Sequence, residues 1–239
     1  MKTLPFSHRA APFAVSLAAV LFNPGLAHSM GMVPDTTIVI VDEADGEGSV
    51  AIRNTDNAPA LLYTHLHPIP EDPADRLVVT PPMARVEPGA RQLVRFVLDV
   101  DAPLKTQHLS RVTFEGIPPK RAGRNEIRTV VQQDLPVLIQ PRDLPRNNAP
   151  WTLLKWSVHD GELTVNNGSR YVVRLEQSVQ LLPGQHVVAL PKPYVLPGET
   201  LRITLDAPVP ARQVRIFPAT VYGYSVEHHD APLDDVTPR

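Results

Sequence analysis

Residues 125–141 read NEIRTVVQQDLPVLIQP, from Asn125 to Pro141, and form the one long run in this 239-residue chain with the pattern of an unbroken β-strand. Ile127, Thr129 and Val131 recur at every second position, so in an extended chain their side chains leave one face as a short apolar row. Leu135, Val137 and Ile139 carry the alternation on to Pro141, whose missing N–H and fixed φ end a ladder there. Just upstream, residues 117–124 (Ile117, Pro118, Pro119, Lys120, Arg121, Ala122, Gly123, Arg124) read as a hairpin loop, and residues 109–115 as the antiparallel partner strand. An apolar row at the start of a long strand, beside a loop, can complete another protein's unfinished sheet. The same row can equally face its own core.

Outward from this stretch, short β-branched runs separated by turn residues recur about every ten positions, as in an antiparallel sandwich. In the first half they are 33–41, 49–54, 61–66, 77–80, 84–86, 92–97 and 112–115. The chain carries 27 Pro and 12 Gly, and an interior Pro costs a helix about 3 kcal/mol, which disfavours long helices. Residues 142–150, with two prolines and a polar run, read as a linker between units 32–141 and 151–226. The second unit has strand patterns at 153–158, 162–166, 172–181, 185–190, 201–205, 213–217 and 221–226. Residues 227–239 hold too little apolar surface to offset their ordering and read as a flexible tail. The fold class is all-β: two sandwiches with a cleft between them, and the long strand ends at their junction.

Residues 1–27 read as a signal peptide: Lys2 and Arg9 precede an apolar run over 10–22, and Gly25, Leu26 and Ala27 are small or apolar at the expected cleavage site. No later run approaches the length of a membrane span, so the mature chain is expected to be exported and not membrane-embedded. Losing Lys2 and Arg9 moves the formal net charge from −2 to −4, and with no long basic run this argues against nucleic acid as partner. The chain has no Cys, which excludes thiol catalysis, Cys-based zinc sites and c-type haem attachment. No Gly-x-Ser-x-Gly elbow or phosphate-cradling Gly loop is present, so the chain reads as a non-enzyme without cofactor. His65 and His67 lie two apart and share a strand face, and His228, His229 and Asp230 sit near the terminus. The first pair lacks a third ligand nearby and the second set lies in the expected tail, where copper or nickel binding is adventitious, so no metal site is assigned.

Four blocks resemble the periplasmic pilus chaperones of the chaperone–usher pathway. Residues 81–89 (PPMARVEPG) are similar to the family's segment of prolines, a buried Arg and a Pro-Gly-type turn. Ile117-Pro118-Pro119 resembles the tripeptide closing its sixth strand. Residues 125–141 align without a gap with its seventh strand, and 166–173 with 195–198 resemble two motifs of its second domain. The resemblance covers about 32–226. It implies two immunoglobulin-like sandwiches set as an L or boomerang, a periplasmic location, and Ile127, Thr129 and Val131 as the row donated to pilin or fimbrial subunits before delivery to an outer-membrane usher. It implies structural roles for Arg85, Pro118 and Pro119, and leaves open a self-dimer in the free state. The family anchors the subunit's C-terminal carboxylate with an Arg on the first strand and a Lys late on the seventh. Here those positions are Thr37 (or Thr36) and Pro136, so the cleft candidates are Thr37, Arg53, Arg111 and Pro136. The charged positions that tie the family's two domains appear as Gln107 and Gln140. The alternative function is an exported binding or adhesion module that kept the scaffold and lost the anchor.

Overall fold

The computed structural model describes residues 31–119, 131–221 and 226–234. The first sandwich holds β1 (Met32–Pro34), β2 (Val39–Asp42), β3 (Glu47–Asn54), β4 (Ala60–Pro68), β5 (Leu77–Thr80), β6 (Met83–Val86), β7 (Arg91–Leu98), β8 (His108–Ile117) and β9 (Gln132–Gln140). Their order is β5-β7-β3-β2-β9-β8-β4-β6, with β1 paired on β3. Residues 32–42 cross between the layers: β1 runs antiparallel to β3, and β2 runs parallel to β9 with Val39 opposite Val137. The core is the sum of period-two faces: Val39 and Val41, Val50 and Ile52, Val94 and Phe96, Val112 and Phe114, and Leu135, Val137 and Ile139 are all buried. Each such side chain withdrawn from water contributes about 1.5–3 kcal/mol before ordering costs.

The second sandwich holds β10 (Lys155–His159), β11 (Glu162–Asn166), β12 (Val173–Arg174), β13 (Ser178–Leu182), β14 (His186–Ala189), β15 (Tyr194–Val195), β16 (Thr200–Thr204), β17 (Gln213–Ile216) and β18 (His229–Asp234). The order is β14-β13-β17-β18-β10-β11-β16, beside a β12-β15 pair. Trp156, Leu163, Val165, Val179, Leu181, Val214 and Ile216 fill its core. A 3-10 turn at Pro150–Leu153, with Trp151 buried, precedes β10 where a strand from 153 is expected. The expected 172–181 strand is split into β12 and β13.

Two expectations are corrected. Residues 227–239 are not a loose tail along their described length: β18 lies inside the sheet, antiparallel to β17 and parallel to β10. Ala231 is buried, and Arg215 donates to both carboxylate oxygens of Asp230 at 2.7 and 2.8 Å. Two open strand edges and one charge partner supply what the segment's own composition lacks. Arg85 is not buried either: its side chain is 68% exposed and donates to Glu87 at 2.7 Å. Val86 points into the core, and the two-residue period therefore turns Arg85 outward. Pro118 directly follows the last residue of β8, Ile117, and Pro119 comes next.

Candidate functional site

The site is built on the pairing of β8 with β9, in register from His108 opposite Ile139 to Glu115 opposite Gln132. Leu135, Val137 and Ile139 enter the first core. The other face of β9 presents Pro136, Leu138 and Gln140, which meet Arg111, Leu109 and Gln107 of β8 and its lead-in, so it builds three steps from the mouth of the cleft to its hinge.

The hinge step is polar and neutral. Buried Gln107 donates from Nε2 to Oε1 of buried Gln140 at 2.6 Å and accepts from the Val172 N–H at 2.8 Å. Gln140 donates in turn to the Leu144 carbonyl at 2.6 Å, and the Gln107 N–H donates to the Arg170 carbonyl at 2.9 Å. Two amides joined this way avoid the desolvation that a buried ion pair would incur. The middle step is apolar: Leu109 and Leu138 pack with Ile38 and Ile69 of the first sandwich and Val172 of the second. Asn167, fully buried, shapes the loop that delivers Val172, donating to the Tyr171 and Val195 carbonyls and accepting from the Ser169 N–H.

The linker is pinned from both sides. The Tyr171 hydroxyl donates to the Pro145 carbonyl at 2.8 Å, and Glu43 accepts from the Arg142 and Leu104 N–H groups. Burial pushes the Glu43 carboxyl upward, but these hydrogen bonds outweigh it and hold the group below its ordinary range. Across the junction, Lys192 bridges Glu71 and Glu199 at 2.7 Å each, and the Tyr194 hydroxyl donates to Glu71 at 2.9 Å. For Glu71 too, burial raises the carboxyl's pKa, and the Lys192 and Tyr194 hydrogen bonds reverse the sign and leave it lowered. Burial, followed by the Glu71 bond, pushes the Tyr194 hydroxyl up.

At the mouth, Arg111 lies opposite Pro136 on β9 and His67 on β4. It donates from Nε to Asp134 at 3.0 Å and forms an ion pair with that carboxylate at 2.9 Å. Thr37 is exposed just ahead of β2, and the Thr36 hydroxyl is committed to the Ile38 carbonyl at 2.9 Å. Arg53 is exposed on β3, opposite Val33 on β1 and Arg91 on β7 in register. The sequence reading missed Arg174, a half-buried guanidinium on β12 lowered by burial and then by the charge of Arg111. A single charge following Val172 and Val173 was the signal for it.

Ile127 and Thr129 lie outside the described residues, and Val131 is 44% exposed just ahead of β9. β2 pairs with β9 only over Val137 to Gln140, so Gln132 to Leu135 have β8 on one flank and no described strand on the other. His65 and His67 do share a face, with ring centroids 5.6 Å apart and Tyr63 stacked beyond at 6.3 Å. No group of three His, Cys, Asp or Glu suited to a metal occurs among the described residues, and no described helix is long and apolar enough to cross a membrane.

Residues 31–145 match the family model of the pili and flagellar-assembly chaperone, PapD N-terminal domain. The chain is 42% identical to the uncharacterized fimbrial chaperone YhcA of Escherichia coli over 81% of its own length and 87% of that protein. It is 26% identical to the chaperone protein FimB/FhaD of Bordetella pertussis over 67% of this chain and 72% of that one. Among solved structures, the CupB2 chaperone of Pseudomonas aeruginosa superposes with a TM-score of 0.68 at 24% identity, covering 84% of this chain and 100% of that one. A chain of the Salmonella enterica SafA pilin in complex with the SafB chaperone gives 0.70 at 19%, covering 85% and 97%. With a cleft between two sandwiches, an open flank on the strand that lines it and a relative this similar over most of both lengths, the chain belongs to the family of fimbrial chaperones.

Proposed function

We propose that the protein works in the periplasm, holding pilus or fimbrial subunits by lending them the start of β9 and passing them to an outer-membrane usher. The observation that carries this reading is the flank of Gln132 to Leu135, along which no described strand pairs opposite β8. A strand flank without a paired neighbour is a template for a foreign strand. Val131 stands exposed at its head, and the two-residue period of the sequence assigns Thr129 and Ile127 to the same face. Main-chain pairing would supply affinity for any extended partner, and the apolar row its fit. The pilin partner of the SafB chaperone is in keeping with this class of ligand.

The test is co-expression with a pilin encoded by a neighbouring gene. Ile127 and Val131 each contribute about 1.5–3 kcal/mol when buried, so I127D together with V131D should abolish recovery of the complex, while T129A should lower it only slightly. Undiminished recovery of subunit with the double variant would reject strand donation.

A further inference from the structure

Ile69, Pro70, Glu71 and Asp72 form a tight turn between β4 and β5, in which the Asp72 N–H donates to the Ile69 carbonyl at 3.1 Å. Pro stands at the second position, where its fixed φ suits such a turn. Three of the side chains are committed in three directions. Ile69 is buried in the apolar cluster between the sandwiches. Asp72 accepts from Arg76 at 2.8 Å and pairs with Nδ1 of His108 at 2.7 Å, which ties the turn to β8 right beside Gln107. Glu71 reaches out of the first sandwich: one carboxylate oxygen pairs with Lys192 at 2.7 Å and the other accepts from the Tyr194 hydroxyl at 2.9 Å. We propose that this turn is a strap that fixes the angle between the two sandwiches, with Glu71 as its latch and as a positioning residue for subunit binding.

The hinge by itself grips the second sandwich along one side. Gln107 meets the Val172 N–H and the Arg170 carbonyl, the Arg170 side chain bonds the Lys105 carbonyl and Asp143, and the Tyr171 hydroxyl bonds the Pro145 carbonyl. These contacts all fall on the chain leading into β12. The strap takes the other side of the same two-stranded pair, at Tyr194 on β15 and at Lys192 just before it. A body held along one line pivots about it, and a second attachment off that line stops the pivot. Motion between domains is the default unless the interface is large and apolar, and the cluster around Leu109 and Leu138 is small. The receiving side of the strap is set in advance. Lys192 is also bridged to Glu199 at 2.7 Å and lies over the Tyr194 ring at 4.8 Å, and Glu199 accepts from the Leu196 N–H at 2.8 Å. With Lys192 only 13% exposed, the pair is screened less than an ordinary surface pair. The hinge is made of neutral amides and the strap is ionic, so either can be removed with the other left in place. That the angle matters for holding a subunit rests on the strand-donation reading; the strap itself does not.

The experiment uses the full mature chain carrying Ser49→Cys and Lys155→Cys, one exposed position in each sandwich. The natural chain has no Cys, so these are the only thiols for spin labels, and pulsed electron resonance reads the distance between them. E71A should broaden the distance distribution about two-fold. K192A should do the same, and the two together should go no further than either alone, because both break one link. E71Q keeps the side chain's shape and an acceptor for the Tyr194 hydroxyl, so it should broaden the distribution less. Co-expressed pilin should be recovered several-fold less with E71A than with wild type, and E71Q should regain part of the loss. A wild-type distribution in E71A and K192A, additive broadening in the double variant, or a broadened distribution with full pilin recovery would overturn the proposal. No pilin enters the distance measurement, so its failure leaves strand donation standing. Undiminished pilin recovery with I127D and V131D would remove that reading and leave the distance result untouched.

Discussion

Replacing Gln107 by Ala tests whether the neutral amide pair holds the two sandwiches together. The side chain is 5% exposed and serves two buried partners: it donates to Gln140 Oε1 at 2.6 Å and accepts from the Val172 N–H at 2.8 Å. Q107A leaves both without it, and each orphaned buried group costs about 1–3 kcal/mol. The loss is therefore about 2–6 kcal/mol, toward the lower end where a water enters the vacated space and bonds both groups. Q140A likewise orphans Gln107 Nε2 and the Leu144 carbonyl. The double variant leaves neither Gln140 Oε1 nor Gln107 Nε2 to be orphaned, so it should fall short of the summed single losses by about 2–6 kcal/mol. Guanidinium unfolding of the mature chain, followed by the fluorescence of Trp151 beside the hinge, provides the assay. Because two sandwiches need not unfold together, the transition should be fitted as sequential, with the first step carrying the effect. A Q107A transition within about 0.5 kcal/mol of wild type, or additive losses in the double variant, would refute the reasoning.

The Glu71 bridge gives a pH dependence of definite sign. Its folded pKa lies below the ordinary 4.5, so its contribution is present above that value and is lost as pH falls from about 4.5 through the folded value. Melting curves should show E71Q less stable than wild type at neutral pH and less sensitive to acid. Asp72, also lowered through His108 and Arg76 after burial's opposing push, keeps part of the acid response in that variant; identical slopes in both proteins would contradict the assignment. Truncation after residue 226 removes β18, exposing the edges of β17 and β10 that it pairs. The second sandwich should then lose the near-ultraviolet circular dichroism of buried Trp156, and a native spectrum would show that β18 is dispensable.

Much of the fold was legible because a strand's inward face is written every second residue. Val39 and Val41, Val50 and Ile52, and Leu135, Val137 and Ile139 announced their burial without any neighbour being known. Arg85 could have been read the same way from Val86 beside it; the family pattern, not the period, pointed inward. β18 was illegible because Ala231 and Leu233 are too few to hold a strand alone, and its stability lies in edges contributed by residues far away. The site followed this division. Gln107 and Gln140 stood out as positions, but only the fold shows one amide bonding the other and the Val172 N–H.

By itself the amino-acid order determined that this is an all-β chain of two units and where its long strand runs, since periodicity and proline placement act over a few neighbouring residues. Only the tertiary structure decided which flank of β9 is left without a paired strand, and that Gln107 meets Gln140 and the Val172 N–H. Those facts arise where two sandwiches pack, and no local pattern encodes the distance between residues on different domains.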